Sequence, residues 1–319
     1  MSRPRGKTLG ADENIAMTPE KRLGLRWRWS SLMEDRTVMG VAFVVPALIL
    51  LLLFLAYPLV LGIWLGFTDT MVGRKGDFIG LANYISLLQD RLFWLVTYYT
   101  FLYTGAAVLF KLILGFALAI VLNRNFRAKG FVRAIVLLPW IIPTVLSAIC
   151  FWWLFDTTFS GITWILLKAH LISHKIDYLG NPTNARICLI IANVWRGIPF
   201  FTIGLLAGLQ TINPTLYEAA SIDGAGGWHR FRHVTLPLIT PLLAVVTTFS
   251  TIWTFADFQL IWVITKGGPA NATHLYGTLS FQRAIPGGQF GEGAAISAFI
   301  LPILVICVLI CYKSLRREE

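Results

Sequence analysis

The chain has 319 residues, of which 56% are hydrophobic and 13% charged, about half the charged share of an ordinary soluble domain. No single globular core of this size can bury so much apolar surface, so lipid must solvate much of it and a soluble fold is excluded. The net charge of +11 does not require nucleic acid, because most of the basic residues fall in the connections between apolar runs.

The first 37 residues form a basic tail with Arg3, Arg5, Lys7, Lys21, Arg22, Arg26, Arg28 and Arg36. Trp27 and Trp29 alternate with Arg26 and Arg28, the pattern of an interfacial anchor with indoles at headgroup depth; a gating segment is the other reading. Gly6-Lys7-Thr8 echoes the end of a phosphate-cradling loop. The glycine that motif needs five positions earlier falls on Met1, so the echo carries no chemistry.

The first apolar run begins near Val38 and extends to about Phe67. It is far longer than the ~7–15 residue apolar stretch of a cleaved export signal and reads as a retained span. Six stretches have the length to cross a bilayer: 38–66, 92–122, 131–155, 186–209, 236–264 and 294–312. Pro46, Pro58, Pro139, Pro143 and Pro199 are expected kink sites. The fold class is therefore all-α, a polytopic membrane protein of six transmembrane helices. Alternate connections divide Lys and Arg seventeen to seven, with both termini on the richer side, so both ends are expected in the cytoplasm.

Cys150, Cys188, Cys307 and Cys311 all lie in apolar runs without zinc-ligand spacing and read as small apolar residues. No nucleophile triad, paired-carboxylate or metal-protease pattern is evident, and no catalytic residue or metal ligand is expected. His229 and His233 have helical i, i+4 spacing, but solvation or polar contacts explain them better than a metal.

The connection between the fourth and fifth spans, 213–235, is unlike a tether. Asn213 suits a helix cap and Pro214 the first helical position. Leu216, Ala219, Ala220 and Asp223 share a face, and Gly224, Gly226 and Gly227 break the helix. A second short helix is expected over 228–234, ending before Leu236 and Pro237. The product is a compact helix–turn–helix that presents Glu218.

Glu218-Ala219-Ala220, Gly224 and Leu236-Pro237 resemble the cytoplasmic "EAA" signature of binding-protein-dependent ABC importer permeases. Val234 stands where isoleucine is usual. The resemblance implies that this segment is a coupling helix docked in a groove of an ATP-binding subunit. Ala219, Ala220, Asp223, Gly224, Leu236 and Pro237 would shape it, and Glu218 would pair with a basic residue. Other runs are similar to sugar-uptake permeases: Phe78-Ile-Gly-Leu-Ala-Asn-Tyr84, Leu138-Pro139-Trp140, Trp195-Arg196-Gly197-Ile198-Pro199-Phe200 and Thr265-Lys266-Gly267-Gly268-Pro269. In the last, Lys266 replaces a commoner glycine; at Thr100, after Tyr99, many members carry asparagine.

Charges inside spans usually face a cavity or partner. Arg196 and Asp257 are candidates for the solute path, with Trp195 and Trp253 as sugar-stacking surfaces and Asn193 and Gln259 as hydrogen-bonding groups. A structural ion pair or core packing is the alternative for these residues. Lys111, nearer the inner face, is expected to snorkel.

The expected organisation is a basic cytoplasmic tail with a candidate interfacial helix (1–37), a transmembrane domain (38–312) and a short cytoplasmic tail (313–319). The resemblance implies a permease subunit that is not itself an enzyme and holds no cofactor, ATP and Mg residing on the partner. Its partners would be a second permease, two ATP-binding subunits and a periplasmic solute-binding protein, and it would carry a sugar-like solute through the bacterial inner membrane. A permease for a polyamine or osmolyte is the nearest alternative. A stand-alone secondary carrier, ion-coupled through Asp257 and Arg196, would leave 213–235 unexplained.

Overall fold

The computed structural model describes residues 36–315; the basic tail with Gly6-Lys7-Thr8, Trp27 and Trp29, and Arg316 and Arg317, lie outside the described residues. The chain divides into two compact units between Leu61 and Gly62. Five helices are long and apolar enough to span a membrane: 36–65, 91–123, 182–211, 227–255 and 290–313. A sixth span is the broken pair 129–141 and 144–154, bent by 90°.

In the first span, α1 (Arg36–Leu51) and α2 (Tyr57–Leu65) are joined by a π turn over Leu52–Ala56. Proline lacks an N–H and its ring crowds the carbonyl four residues back. The extra residue of a π turn relieves that clash ahead of Pro58, with the Tyr57 N–H donating to the Leu52 carbonyl. Pro46 sits inside unbroken helix.

In the second unit, α3 (Ala82–Gln89) leads to α4 (Arg91–Asn123). The Asp90 carboxylate caps α4 by accepting from the Leu92 N–H at 2.8 Å. The third span comprises α5 (Lys129–Ile141) and α6 (Thr144–Leu154), followed by the short α7 (Gly161–Lys168). The break falls at Ile142-Pro143, where both residues are extended. Pro139 stays inside helix, so only the second of the two prolines bends this span.

The central helix is α8 (Pro182–Thr211), half of which is buried in the protein. Asn181 caps it, accepting from the N–H groups of Thr183 and Asn184 with Pro182 at the first turn. Pro199 is accommodated within it. Helices α4 and α8 run parallel in the most extensive pairing of the fold. Gly115 lies so close to Phe201 and the Ile198 carbonyl that any Cβ would collide, the small-residue route to close packing in lipid.

After α9 (Pro214–Ile222) come α10 (Gly227–Arg230), a π turn Phe231–Thr235 and α11 (Leu236–Phe255). The expected stop before Leu236-Pro237 does not occur. The π turn again precedes a proline, the Leu236 N–H reaching back to Phe231, and the helix continues unbroken from 227 to 255. It ends short of the expected 264: Ala256, Asp257 and Phe258 form a break before α12 (Gln259–Ile264). The chain closes with α13 (Tyr276–Ala284), α14 (Phe290–Ala298) and α15 (Ile300–Leu315).

Two loops at the end remote from α9 are tightly fastened. The Asn83 amide donates to the carbonyls of Gly66 and Thr68. Arg283 pairs with Asp90 at 2.9 Å and Glu292 at 3.5 Å, tying α13 to α14 and the start of α4. In the 265–275 loop, the His274 ring fills the space a Cβ on Gly267 would need. Burial holds His274 neutral, pushing its imidazole down to about 4.

Candidate functional site

Two regions carry the residues singled out above. The first is a cavity of about 420 Å³ where α4, α5, α6, α8, α11 and α12 meet. Asn193, Arg196, Trp253, Asp257 and Gln259, singled out as candidates for the solute path, all line it. Trp195 does not. One position further round α8, it faces a separate, almost wholly apolar groove with Ile191, Val194 and Ile198, and packs edge-on against Phe151.

Sequence reasoning missed three contributors to the wall. Trp140 stacks on Phe200 at 5.3 Å and lies 5.7 Å from Trp253, so the apolar wall is a three-ring cluster. Trp140 and Phe200 stand in the Leu138-Pro139-Trp140 and Trp195–Phe200 runs; those runs were the available signal. The third is Lys111. It does not snorkel: it is 3% exposed, and its ammonium donates to Asn193 Oδ1 at 3.0 Å and Thr254 Oγ1 at 2.7 Å.

Asn193 turns its amide the other way to donate to Asp257 Oδ2 at 3.0 Å. The Tyr103 hydroxyl donates to the same oxygen at 2.9 Å, and the Leu260 N–H reaches Oδ1 at 3.4 Å. Asp257 is placed by the break in the helix rather than by the span itself. A cation, an amide and a carboxylate thus form one chain across α4, α8 and the α11–α12 joint. Among the described residues the Arg196 guanidinium makes no hydrogen bond or ion pair, and its Nε is buried. The cavity can therefore offer a solute an aromatic surface, an uncommitted guanidinium and the Gln259 amide.

The second region is 213–235. Asn213 accepts from the Thr215 N–H at 3.0 Å to start α9. At its end Gly224 takes φ +80°. The Ala225 N–H bonds to the Ala220 carbonyl and the Gly224 N–H to the Ser221 carbonyl, a Schellman stop that needs a residue with positive φ. Arg230 Nη1 donates to Ser221 Oγ at 2.8 Å, and Tyr217 Oη lies 2.9 Å from Thr235 Oγ1. Glu218, Ala219, Asp223, Gly224 and Pro237 are exposed, and Ala220 and Leu236 half-buried. Ile222 at 88% and Trp228 at 71% exposure add apolar surface. The His229 and His233 rings stack at 4.7 Å. Among the described residues no group of three or more metal-ligating side chains occurs.

Apolar helices long enough to span a membrane, a polar cavity among them and an exposed helical knob fit the class of membrane transport subunits. The chain belongs to the family of binding-protein-dependent transport system inner membrane components, whose profile matches residues 111–317. It is 36% identical to the trehalose/maltose transport system permease protein MalF of Thermococcus litoralis, across 90% of this chain and 97% of that one. It is 31% identical to the sulfoquinovosyl glycerol transport system permease protein SmoG of Agrobacterium fabrum, across 97% and 99%. A crystal structure of a bacterial ABC transporter involved in import of the acidic polysaccharide alginate has a chain that aligns with a TM-score of 0.78 and 25% identity, covering 91% of this chain and 98% of that one. The chain is accordingly an inner-membrane permease subunit, a transport component rather than an enzyme.

Proposed function

We propose that this permease carries a sugar or sugar-derived solute, delivered by a periplasmic binding protein, through the cavity formed around Arg196, Trp253 and Gln259. The observation that carries the reading is the three-ring wall of Trp140, Phe200 and Trp253 beside hydrogen-bonding groups. Sugars present apolar C–H faces ringed by hydroxyls, which such a wall and its polar neighbours match. The saccharide-related names of the relatives support the same class. A polyamine fits poorly, since Lys111 and Arg196 outnumber Asp257 among the charged lining groups.

In this reading ATP and Mg bind a separate subunit that docks on 213–235, with Glu218 meeting a basic residue and Ile222 and Trp228 buried by the contact. The core would contain two ATP-binding chains and a second permease. The excess of Lys and Arg puts the knob and both termini in the cytoplasm. Residues 1–37 then form an inner-face tail, 38–312 the transmembrane domain and 313–319 the closing tail. The closing together of the ATPase pair would draw the two coupling helices inward and open the cavity outward. The test is reconstitution of the assembled complex in proteoliposomes with its binding protein and radiolabelled maltose or trehalose. ATP-dependent accumulation of either supports the proposal. Full-rate uptake without the ATPase subunits would overturn the importer reading, and ATP-driven uptake confined to polyamines or osmolytes would overturn the sugar class.

A further inference from the structure

The charged groups of the cavity are not equivalent. Among the described residues Arg196 makes no hydrogen bond or ion pair, although its charge acts on Asp257, whereas Lys111 is spent on the protein: both of its bonds go to side chains, on α8 and α11. The Thr254 hydroxyl that accepts from it donates in turn to the Ser250 carbonyl at 2.6 Å, so the contact is made to a fixed acceptor. Asn193 is read at both ends, its oxygen by the cation and its nitrogen by the carboxylate. The amide serves both neighbours at once, accepting at its oxygen and donating at its nitrogen. The fold also makes room for the lysine stem, because a Cβ on Gly197 would occupy the place of Lys111 Cδ.

The joint this chain pins is the break at the end of a long helix. Helix 227–255 is continuous from the knob, so Thr254 lies about 40 Å from Gly227 at 1.5 Å per residue. Asp257 follows in the break, before α12. A shift of this helix at the knob would reach the cavity through its own residues Ser250, Trp253 and Thr254 and through this joint.

We propose that Lys111 is a positioning residue of the transport cycle: relayed by Asn193, its ammonium compensates the Asp257 carboxylate and holds the α11–α12 joint against α4 and α8. The mechanical part rests on the reading of the cavity as the solute path. The electrostatic part does not. Two buried opposite charges joined through one amide are mutually dependent, and removing either strands the other. Removing both together leaves the hydrogen-bonded chain itself without charge, beside Arg196, and Asn193 and Tyr103 still find an acceptor at position 257.

The test compares wild type with Lys111→Met, Asp257→Asn, the Lys111→Met/Asp257→Asn double variant and Gly197→Ala, each in the assembled complex. The first readout needs no solute: the amount of subunit in the membrane and the melting midpoint of the complex in detergent. Lys111→Met should lower both, and the double variant should regain at least half of the loss. A double variant no more stable or abundant than Lys111→Met overturns the compensation, including the case in which neither accumulates.

The second readout separates positioning from solute contact. It measures uptake of maltose or trehalose beside the ATPase activity stimulated by binding protein loaded with the same sugar. For Lys111→Met and Gly197→Ala both should fall together, at least tenfold and threefold respectively. Lost uptake with stimulated ATPase intact would place Lys111 on the solute and overturn the positioning role. If the wild-type complex moves neither sugar, the functional reading fails while the stability comparison still decides the relay.

Discussion

The knob at 213–235 and the cavity around Asp257 are built on opposite plans. In the knob, shape is fixed by backbone devices: an Asn213 cap, a Schellman stop at Gly224 and a π turn into the span. Its acidic side chains, Glu218 and Asp223, stay exposed and form no ion pair within the described chain. In the cavity, side chains fix the shape, and most polar groups are committed to one another through Lys111, Asn193, Tyr103 and Asp257. In the function proposed above the knob hands force to another subunit, and charges left free by its own described residues are available to that partner. A joint inside lipid cannot leave its charges free, because an unpaired buried charge is costly. The two regions should therefore respond to mutation in opposite ways.

The largest effect is expected at the knob. Glu218→Lys should abolish solute-stimulated ATP hydrolysis while leaving the subunit inserted with an unchanged melting midpoint, since Glu218 is exposed and forms no ion pair among the described residues. Reduced membrane content would break the comparison by giving Glu218 a structural duty. Asp257→Ala is the converse. It removes the acceptor for Tyr103 and Asn193 and strands Lys111, and should cost about 3–5 kcal/mol of stability, as for a buried charge that loses its partner, with uptake reduced at least tenfold. Chemical-denaturation curves and uptake assays on one preparation would check both. Unchanged uptake kinetics would take Asp257 out of the path.

These two regions were not equally legible in the sequence. The knob could be read almost residue by residue, because caps, glycines and prolines act locally and their positions along the chain suffice. Its one misread feature, the helix expected to stop before Pro237, arose because a π turn absorbs the proline without breaking the helix. The cavity was legible only as a list of polar residues in apolar runs. Five of the six residues on that list line one cavity, but the list could not tell Trp195 from Trp253. The difference is which face of α8 or α11 meets a neighbour, and contacts between distant helices set that. Lys111 shows the same limit: snorkelling and burial look identical until Gly197 is seen to give the stem its space. The break that carries Asp257 lay within an apolar run read as one continuous span.

The two tryptophans sharpen the cavity side. Trp253→Ala removes one ring of the three-ring wall and should lower uptake about fivefold, equivalent to about 1 kcal/mol for one aromatic contact. Trp195→Ala opens only the apolar groove on the other face and should leave uptake within twofold. Initial rates in vesicles at equal subunit content give the comparison. Equal losses at both positions would mean that the groove, not the cavity alone, serves transport.

The smallest effects test whether backbone shape alone fixes the knob. Gly224 has φ +80° with nothing within 4 Å of where a Cβ would stand, so Gly224→Ala changes conformational preference and no contact. A left-handed residue other than glycine costs roughly 1–2 kcal/mol, partly offset by the lower unfolded-state entropy of alanine. The net loss, about 1 kcal/mol, should appear as about fivefold faster hydrogen exchange at the amides of Gly224 and Ala225, which close the Schellman stop, with exchange in α4 and α8 unchanged. Lys266 offers the mirror experiment at the far end of the molecule. It is exposed with φ +50°, so Lys266→Gly should relieve the same strain and raise the melting midpoint slightly. The Lys266 N–H bond to the Ile261 carbonyl is retained, because glycine keeps that donor. Should Gly224→Ala leave exchange at Ala225 unaltered, the knob would owe its shape to side chains such as Arg230 and Ser221, and the contrast with the cavity would collapse.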